Sequence, residues 1–180
     1  MIYKGSVKQK DIYIGSTKIG KVYKGSQLVY QSKLPAGQVI FESATSGTYT
    51  ITIPTTQTFH IDLVGGGGGS VNVSLFGWSN GGSASYIYGD IVLEQGTYAL
   101  QVGAGGAPNS GATNESHSTF LGNTAGGGSG NYGGTATVVT SGLTGLNGSN
   151  TTTTGWINNY GAGGSNGSSG VNGYCKIVAV

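Results

Sequence analysis

The chain has 180 residues, of which 37 are glycine and only 8 % are charged, with eight lysines, no arginine and a net charge of +2. Three prolines and no Gly-X-Y period exclude collagen, and low charge with many short β-branched runs argues against simple disorder, which favours high net charge. No stretch is apolar for long enough to span a bilayer, and Cys175, the single cysteine, leaves no partner for an internal disulfide.

Residues 1–33 carry a repeat of period ten. Ile2-Tyr3-Lys4-Gly5-Ser6, Ile12-Tyr13-Ile14-Gly15-Ser16 and Val22-Tyr23-Lys24-Gly25-Ser26 each read as a short strand ending in a Gly-Ser turn. Lys18-Ile19-Gly20-Lys21 and Gln27-Leu28-Val29-Tyr30 read as return strands, so the stretch is expected to form a small β-meander. It holds seven lysines against Asp11, net +6, whereas the remaining 147 residues hold Lys176 against five acids, net −4. Lysines on an exposed meander protect strand edges from aggregation. A basic docking module for an acidic neighbour fits this pattern better than a nucleic-acid site.

Lys33-Leu34-Pro35-Ala36-Gly37 is the expected joint, and residues 38–180 form the second domain. Strand signals follow at Val39–Glu42, Tyr49–Ile53 and Thr58–Val64, where Phe59, Ile61 and Leu63 fall on one face. Further strands are expected at Gly81–Leu93, Thr97–Val102, Ser118–Leu121, Thr135–Val139 and Tyr174–Val180, with Cys175 a small buried hydrophobe in the last. No segment has helical periodicity. The fold class is all-β, a small N-terminal meander followed by a β-sandwich-like glycine-rich domain.

Between the strands lie Gly65–Ser70, Gly103–Gly106, Gly126–Gly128 and Gly161–Gly164, and the strand at 81–93 opens with Gly81-Gly82-Ser83-Ala84-Ser85. A dinucleotide fingerprint fails at the first run, because Ser70 stands where its last glycine belongs and Val71–Phe76 alternates like a strand instead of opening a helix. A phosphate-binding loop fails for want of any Gly-Lys-Ser or Gly-Lys-Thr. A flexible linker would not recur in matched copies flush against strands. The remaining reading is a set of extended polyglycine II segments with three residues per turn, packed side by side. Such segments make no internal hydrogen bonds, so when buried their amides bond to neighbouring chains.

These motifs in this order, with Gly170-Val171-Asn172-Gly173-Tyr174 near the end, resemble the glycine-rich domain of bacteriophage tail-fibre and receptor-binding proteins. The ten-residue repeats resemble short repeats on tail proteins of gut-bacterial phages and prophages. The resemblance covers residues 38–180 and implies polyglycine II helices on a homotrimeric virion protein. Its N-terminal module would join other virion proteins, and the protein would recognise a bacterial surface glycan or surface protein. The alternative within the same class is a head-fibre (capsid) or tail decoration with a structural role. The start of the chain lacks an apolar core of signal-peptide length, so synthesis in the host cytoplasm is expected, without membrane insertion, nucleic-acid binding or cofactor.

Enzymatic chemistry finds little support. Asp90 and Glu94 are even-spaced and can share a strand face, but they read as solvated positions. His60 and His117 lack metal-ligand spacing, and no nucleophile elbow is present. The favoured contact region is Ser141–Tyr160, read as a long Gly/Asn/Thr-rich loop. Its Trp156 and Tyr160 offer ring faces for sugar stacking, and Asn158 and Asn159 offer amides for hydroxyl groups. The competing reading has Trp156 packed into the domain as an apolar staple, and Phe76 and Trp78 are a second, weaker contact candidate, read in preference as core.

Overall fold

A computed structural model describes residues 12–14, 16–109, 116–150 and 154–180. The first copy of the ten-residue repeat lies outside the described residues, as do Asp11, Gly15, Glu115 and residues 151–153 of the predicted loop. The chain divides into two compact units, Met1–Leu34 and Pro35–Val180.

In the first unit the second and third repeats each supply the first strand of a hairpin. Strand β1 (Ile12–Ile14) pairs antiparallel with β2 (Thr17–Ile19), and β3 (Lys21–Lys24) with β4 (Gln27–Gln31). Gly25 holds the second turn at φ +63°, a backbone region where a Cβ is disfavoured. The described strands form two separate two-stranded ribbons, not one continuous meander. Lys18, Lys21 and Lys24 are exposed.

The second unit is a sandwich of two five-stranded antiparallel sheets. One has the order β15 (Leu143–Leu146), β10 (Tyr86–Leu93), β7 (Gln57–Val64), β16 (Tyr174–Ala179), β5 (Val39–Ser43). The other runs β14 (Ala136–Thr137), β13 (Asn123–Ala125), β12 (Ser118–Phe120), β11 (Gly96–Val102), β6 (Gly47–Ile53). Strand alternation sends Phe59, Ile61, Leu63, Ile87, Ile91 and Ile177 inward from the first sheet, and Ile53, Leu100, Val102 and Phe120 from the second. β7 meets β12 and β10 meets β13 across this core. Cys175 is fully buried in it as expected, and burial pushes its thiol up.

The glycine runs prolong the strands at one end of the sandwich. The first leaves β7, the next enters β10, and others leave β11 and β13 or enter β16. Their hydrogen bonds reveal a three-residue period. Gly65 and Gly68 both donate to the run before β10, at Ser85 and Gly82, while Gly67 and Ser70 both donate to the run before β16, at Val171 and Ser168. In the neighbouring run, Gly81 and Ala84 donate to Gly164 and Gly161, and Gly82 and Ser85 to Gly130 and Gly126. Donors three apart meet the same antiparallel neighbour, which is the bonding of packed polyglycine II helices and neither an α-helix nor a pleated sheet.

Most glycines of these runs are not there for left-handed backbone: none of Gly65–Gly69, Gly81, Gly82 or Gly126–Gly128 has positive φ, whereas Gly130 and Gly161 do, at +49° and +68°. They are there for proximity. A Cβ on Gly67 would lie inside the contact radius of the Ala162 carbonyl oxygen, and one on Gly81 would strike the carbonyl of Gly68. These obstacles are backbone, held by their own hydrogen bonds, and cannot swing aside as a side chain does.

Gly67→Ala is therefore expected to destabilise the protein by about 3 kcal/mol or more, the upper part of the range for overpacking. Gly96→Ala is the matched control. Its Cβ would meet nothing closer than the Tyr98 ring at 3.8 Å, and it should shift stability by less than about 1 kcal/mol. Denaturant melts of the two variants decide whether close packing or mere flexibility selects glycine.

Candidate functional site

Trp156 and Tyr160 sit where the glycine bundle meets the first sheet. The Trp156 indole N–H donates to the Ala84 carbonyl at 2.6 Å, and its ring centroid lies 5.4 Å from that of Tyr86. Tyr160 stacks on Tyr174, with centroids 4.6 Å apart and planes within 4°. Together with Ile157 these rings cover Val64, Ala84 and Tyr174. The short 3₁₀ turn Ile157–Asn159 holds them there, with Asn158 and Asn159 at φ 50° and 68°. Asn159 Oδ1 accepts from the Gly155 N–H at 2.8 Å, and Asn158 and Asn159 are exposed. Residues 141–160 are not one long loop, because β15 lies within them and pairs with β10.

A different group of residues gathers at the far end of the bundle. After Ser70 the chain makes a hairpin of β8 (Val71–Asn72) and β9 (Trp78–Ser79) around a 3₁₀ turn, Ser74–Phe76. Beside it lie three other turns. The Asn109 N–H donates to the Ser70 carbonyl and its side chain accepts from the Asn72 N–H, Gly167 N–H donates to Ser70 Oγ, and Ser129 bridges Tyr132. The glycine helices are thus rigid rods whose connecting turns converge on one tip. Leu75 is 97 % exposed there, Phe76 90 % and Tyr132 66 %.

The exposure of Phe76 corrects the expectation that it belongs to the core. Val71–Phe76 alternates like a strand, but Ser74 at φ 55° breaks the strand after Asn72 and turns Leu75 and Phe76 to solvent. Trp78 is also not core, remaining 39 % exposed with its ring beside Gly167. Alternation alone does not distinguish a half-buried strand from a free hairpin. The available signal was position, since the segment lies between two glycine runs that turn back on each other.

The outer face of the first sheet gathers most of the body's charge. Asp62 accepts from the Tyr86 hydroxyl and lies 3.6 Å from His60 Nε2, while His60 Nδ1 contacts Asp90. Glu42 accepts from the Tyr174 hydroxyl at 2.6 Å and pairs with Lys176 at 3.4 Å. Glu94 lies past the end of β10. Burial, then the bond to Asp62, pushes the Tyr86 phenol far above its usual range. Burial and Glu42 do the same to Tyr174, whose hydroxyl in turn holds the Glu42 carboxyl below its usual range. His117 Nδ1 accepts from the Gly127 N–H at 2.9 Å, so it serves the bundle. Among the described residues no group of three or more His, Cys, Asp or Glu side chains is placed to hold a metal ion.

An antiparallel sandwich prolonged by a backbone-packed glycine bundle defines a class of protein in which rigidity comes from main chain. A family model for a glycine-rich domain matches residues 43–176, and the chain belongs to that family. The match begins at the end of β5 and closes inside β16, taking in every glycine run and leaving the lysine-rich repeats outside. Comparison with curated proteins finds no match.

If the junction is structural, Trp156→Phe should cost about 1–3 kcal/mol by orphaning the Ala84 carbonyl. Trp156→Ala should cost more, because it also removes the packing of a half-buried aromatic ring. A surface platform would give no change in a denaturant melt. A pH dependence also follows. Tyr86 and Tyr174 have raised pKa values in the fold, so the stability they contribute is full below the ordinary tyrosine value of 10.0 and declines as pH rises above it. Thermal melts from pH 8 upward should show the decline setting in near that value, and Tyr174→Phe should flatten it.

Proposed function

We propose that this is a bacteriophage virion protein, a tail-fibre or receptor-binding adhesin that recognises a bacterial surface glycan or surface protein. The observation that carries this reading is the convergence of the glycine-helix turns on one tip. The bundle has almost no side chains with which to recognise anything, so specificity resides in the turns that it projects, and a main-chain scaffold holds those turns in place at little entropic cost on binding. Glycine-rich family membership and the resemblance to phage tail proteins support the same reading.

In this proposal Tyr132 and the hairpin around Trp78 make the contacts. The rings of Trp156 and Tyr160 brace the rods from below, with Asn158 and Asn159 at the rim of the junction. The lysine-rich repeats attach the protein to other virion proteins, and three copies assemble on the particle. A decoration role would use the same tip against neighbouring subunits.

Fluorescently labelled full-length protein should bind host cells, and Tyr132→Ala combined with Trp78→Ala should weaken that binding at least about tenfold, as for loss of aromatic hot spots. Tyr132→Ala alone, whose side chain is mostly in solvent, should weaken it with no change in melting temperature. Undiminished binding by both variants would remove the tip from recognition and favour the decoration role.

A further inference from the structure

The hairpin between the first two glycine runs carries, beyond the contacts proposed for Tyr132 and Trp78, an exposed apolar apex. Leu75 and Phe76 stand at its apex, 97 % and 90 % exposed, with Val73 41 % exposed behind them and Trp78 at the base. Most main-chain donors of the apex, though not that of Leu75, are bonded within it. Val73 N–H donates to the Gly77 carbonyl, Phe76 N–H to Val73, and Gly77 N–H to Ser74. Ser74 N–H donates to Asn72 Oδ1. Four of the five N–H groups from Val73 to Gly77 are therefore bonded within the hairpin. From Leu63 to Gly89 the sequence has no Asp, Glu, Lys, Arg or His.

A 3₁₀ turn closes with such bonds in water too, so the bonding permits contact with lipid and the absence of charge with two exposed apolar side chains argues for it. Hydrocarbon offers no hydrogen-bond partners, and a segment entering it must satisfy its main chain internally and leave charge behind. We propose that this hairpin is a lipid-contacting wedge, which dips Leu75 and Phe76 into the surface of a bilayer with Trp78 at the interfacial level where indole rings are favoured. A protein partner fits less well. Two large side chains offer on the order of 300–400 Å², against about 800 Å² per partner in a standard interface. A bilayer needs no matching surface around the tip. The electroneutrality of the segment further fits uncharged or zwitterionic lipid rather than an anionic surface. A wedge of two side chains binds weakly by itself and gains strength when several copies engage one membrane. The inference goes beyond the adhesin reading and does not depend on it, since it needs lipid alone.

The test is flotation of the full-length protein with vesicles of phosphatidylcholine only, at large lipid excess. The protein should float with the vesicles, and raising the salt should not release it, because no charge pairing is involved. Leu75→Ser combined with Phe76→Ser should reduce the floated fraction at least tenfold with an unchanged melting temperature, and Phe76→Trp should retain it. The inference is overturned if the wild-type protein stays in solution, if the double variant floats equally well, or if flotation appears only when host surface protein is built into the vesicles. Cell binding by a protein that ignores pure lipid would overturn this inference and leave the adhesin reading standing. Flotation by a protein that does not bind cells would do the reverse.

Discussion

The structure depends on one constraint, the approach of main chain to main chain with no side chain between. Gly67 faces the Ala162 carbonyl and Gly81 that of Gly68 at separations that any Cβ would violate. Because each rod has three residues per turn, its donors and acceptors point to neighbours all around it, and Gly65–Ser70 exchanges lateral bonds with the runs before β10, after β11, after β13 and before β16. A conventional core relies on interlocking side chains. Here a large part of the second unit relies on an amide lattice built by glycine with a few small residues, Ser70, Ser83, Ala84, Ser85 and Ala162, which are themselves buried.

That lattice needs an anchor, since isolated polyglycine II rods have neither internal hydrogen bonds nor an apolar face. The sandwich supplies it. Val64, Tyr86 and Tyr174 are register partners at the ends of β7, β10 and β16, so three rods enter or leave the sheet side by side with their spacing already set. Trp156 and Tyr160 close this junction by covering the last row of the sheet and the first turn of the rods. The arrangement places rigid main chain between a hydrophobic core and a set of turns, which gives the turns a firm mount without a helix or a large domain.

Charge is distributed to the same end. The body's few charged side chains lie mostly on the outer face of the first sheet, where carboxylates are matched to tyrosine hydroxyls, His60 and Lys176. The bundle itself is uncharged, so nothing repels or desolvates at the contacts between rods.

Much of the fold was legible because it is written in local periods. Alternation at Phe59, Ile61 and Leu63 gave a strand and its inward face, and repeated glycine runs flush against strands implied close-packed polyglycine II segments. Family membership rests on that same glycine pattern. Local pattern failed where the chain's neighbours decide the outcome. Val71–Phe76 alternates as a buried strand does, yet only Val71 and Asn72 find a strand partner, in the short ribbon with Trp78–Ser79, and Ser74 turns Leu75 and Phe76 outward. Trp156 sits among polar residues that read as a loop, but the Ala84 carbonyl and the ring of Tyr86 come from 70 or more positions away to hold it. The sequence by itself determined the strands, the all-β class and the need for glycine, because these follow from backbone sterics and side-chain periods within a few residues. Which rod lies beside which, where the turns converge and which aromatics are left in water were decided only by the tertiary structure, because they depend on hydrogen bonds between segments far apart in the chain.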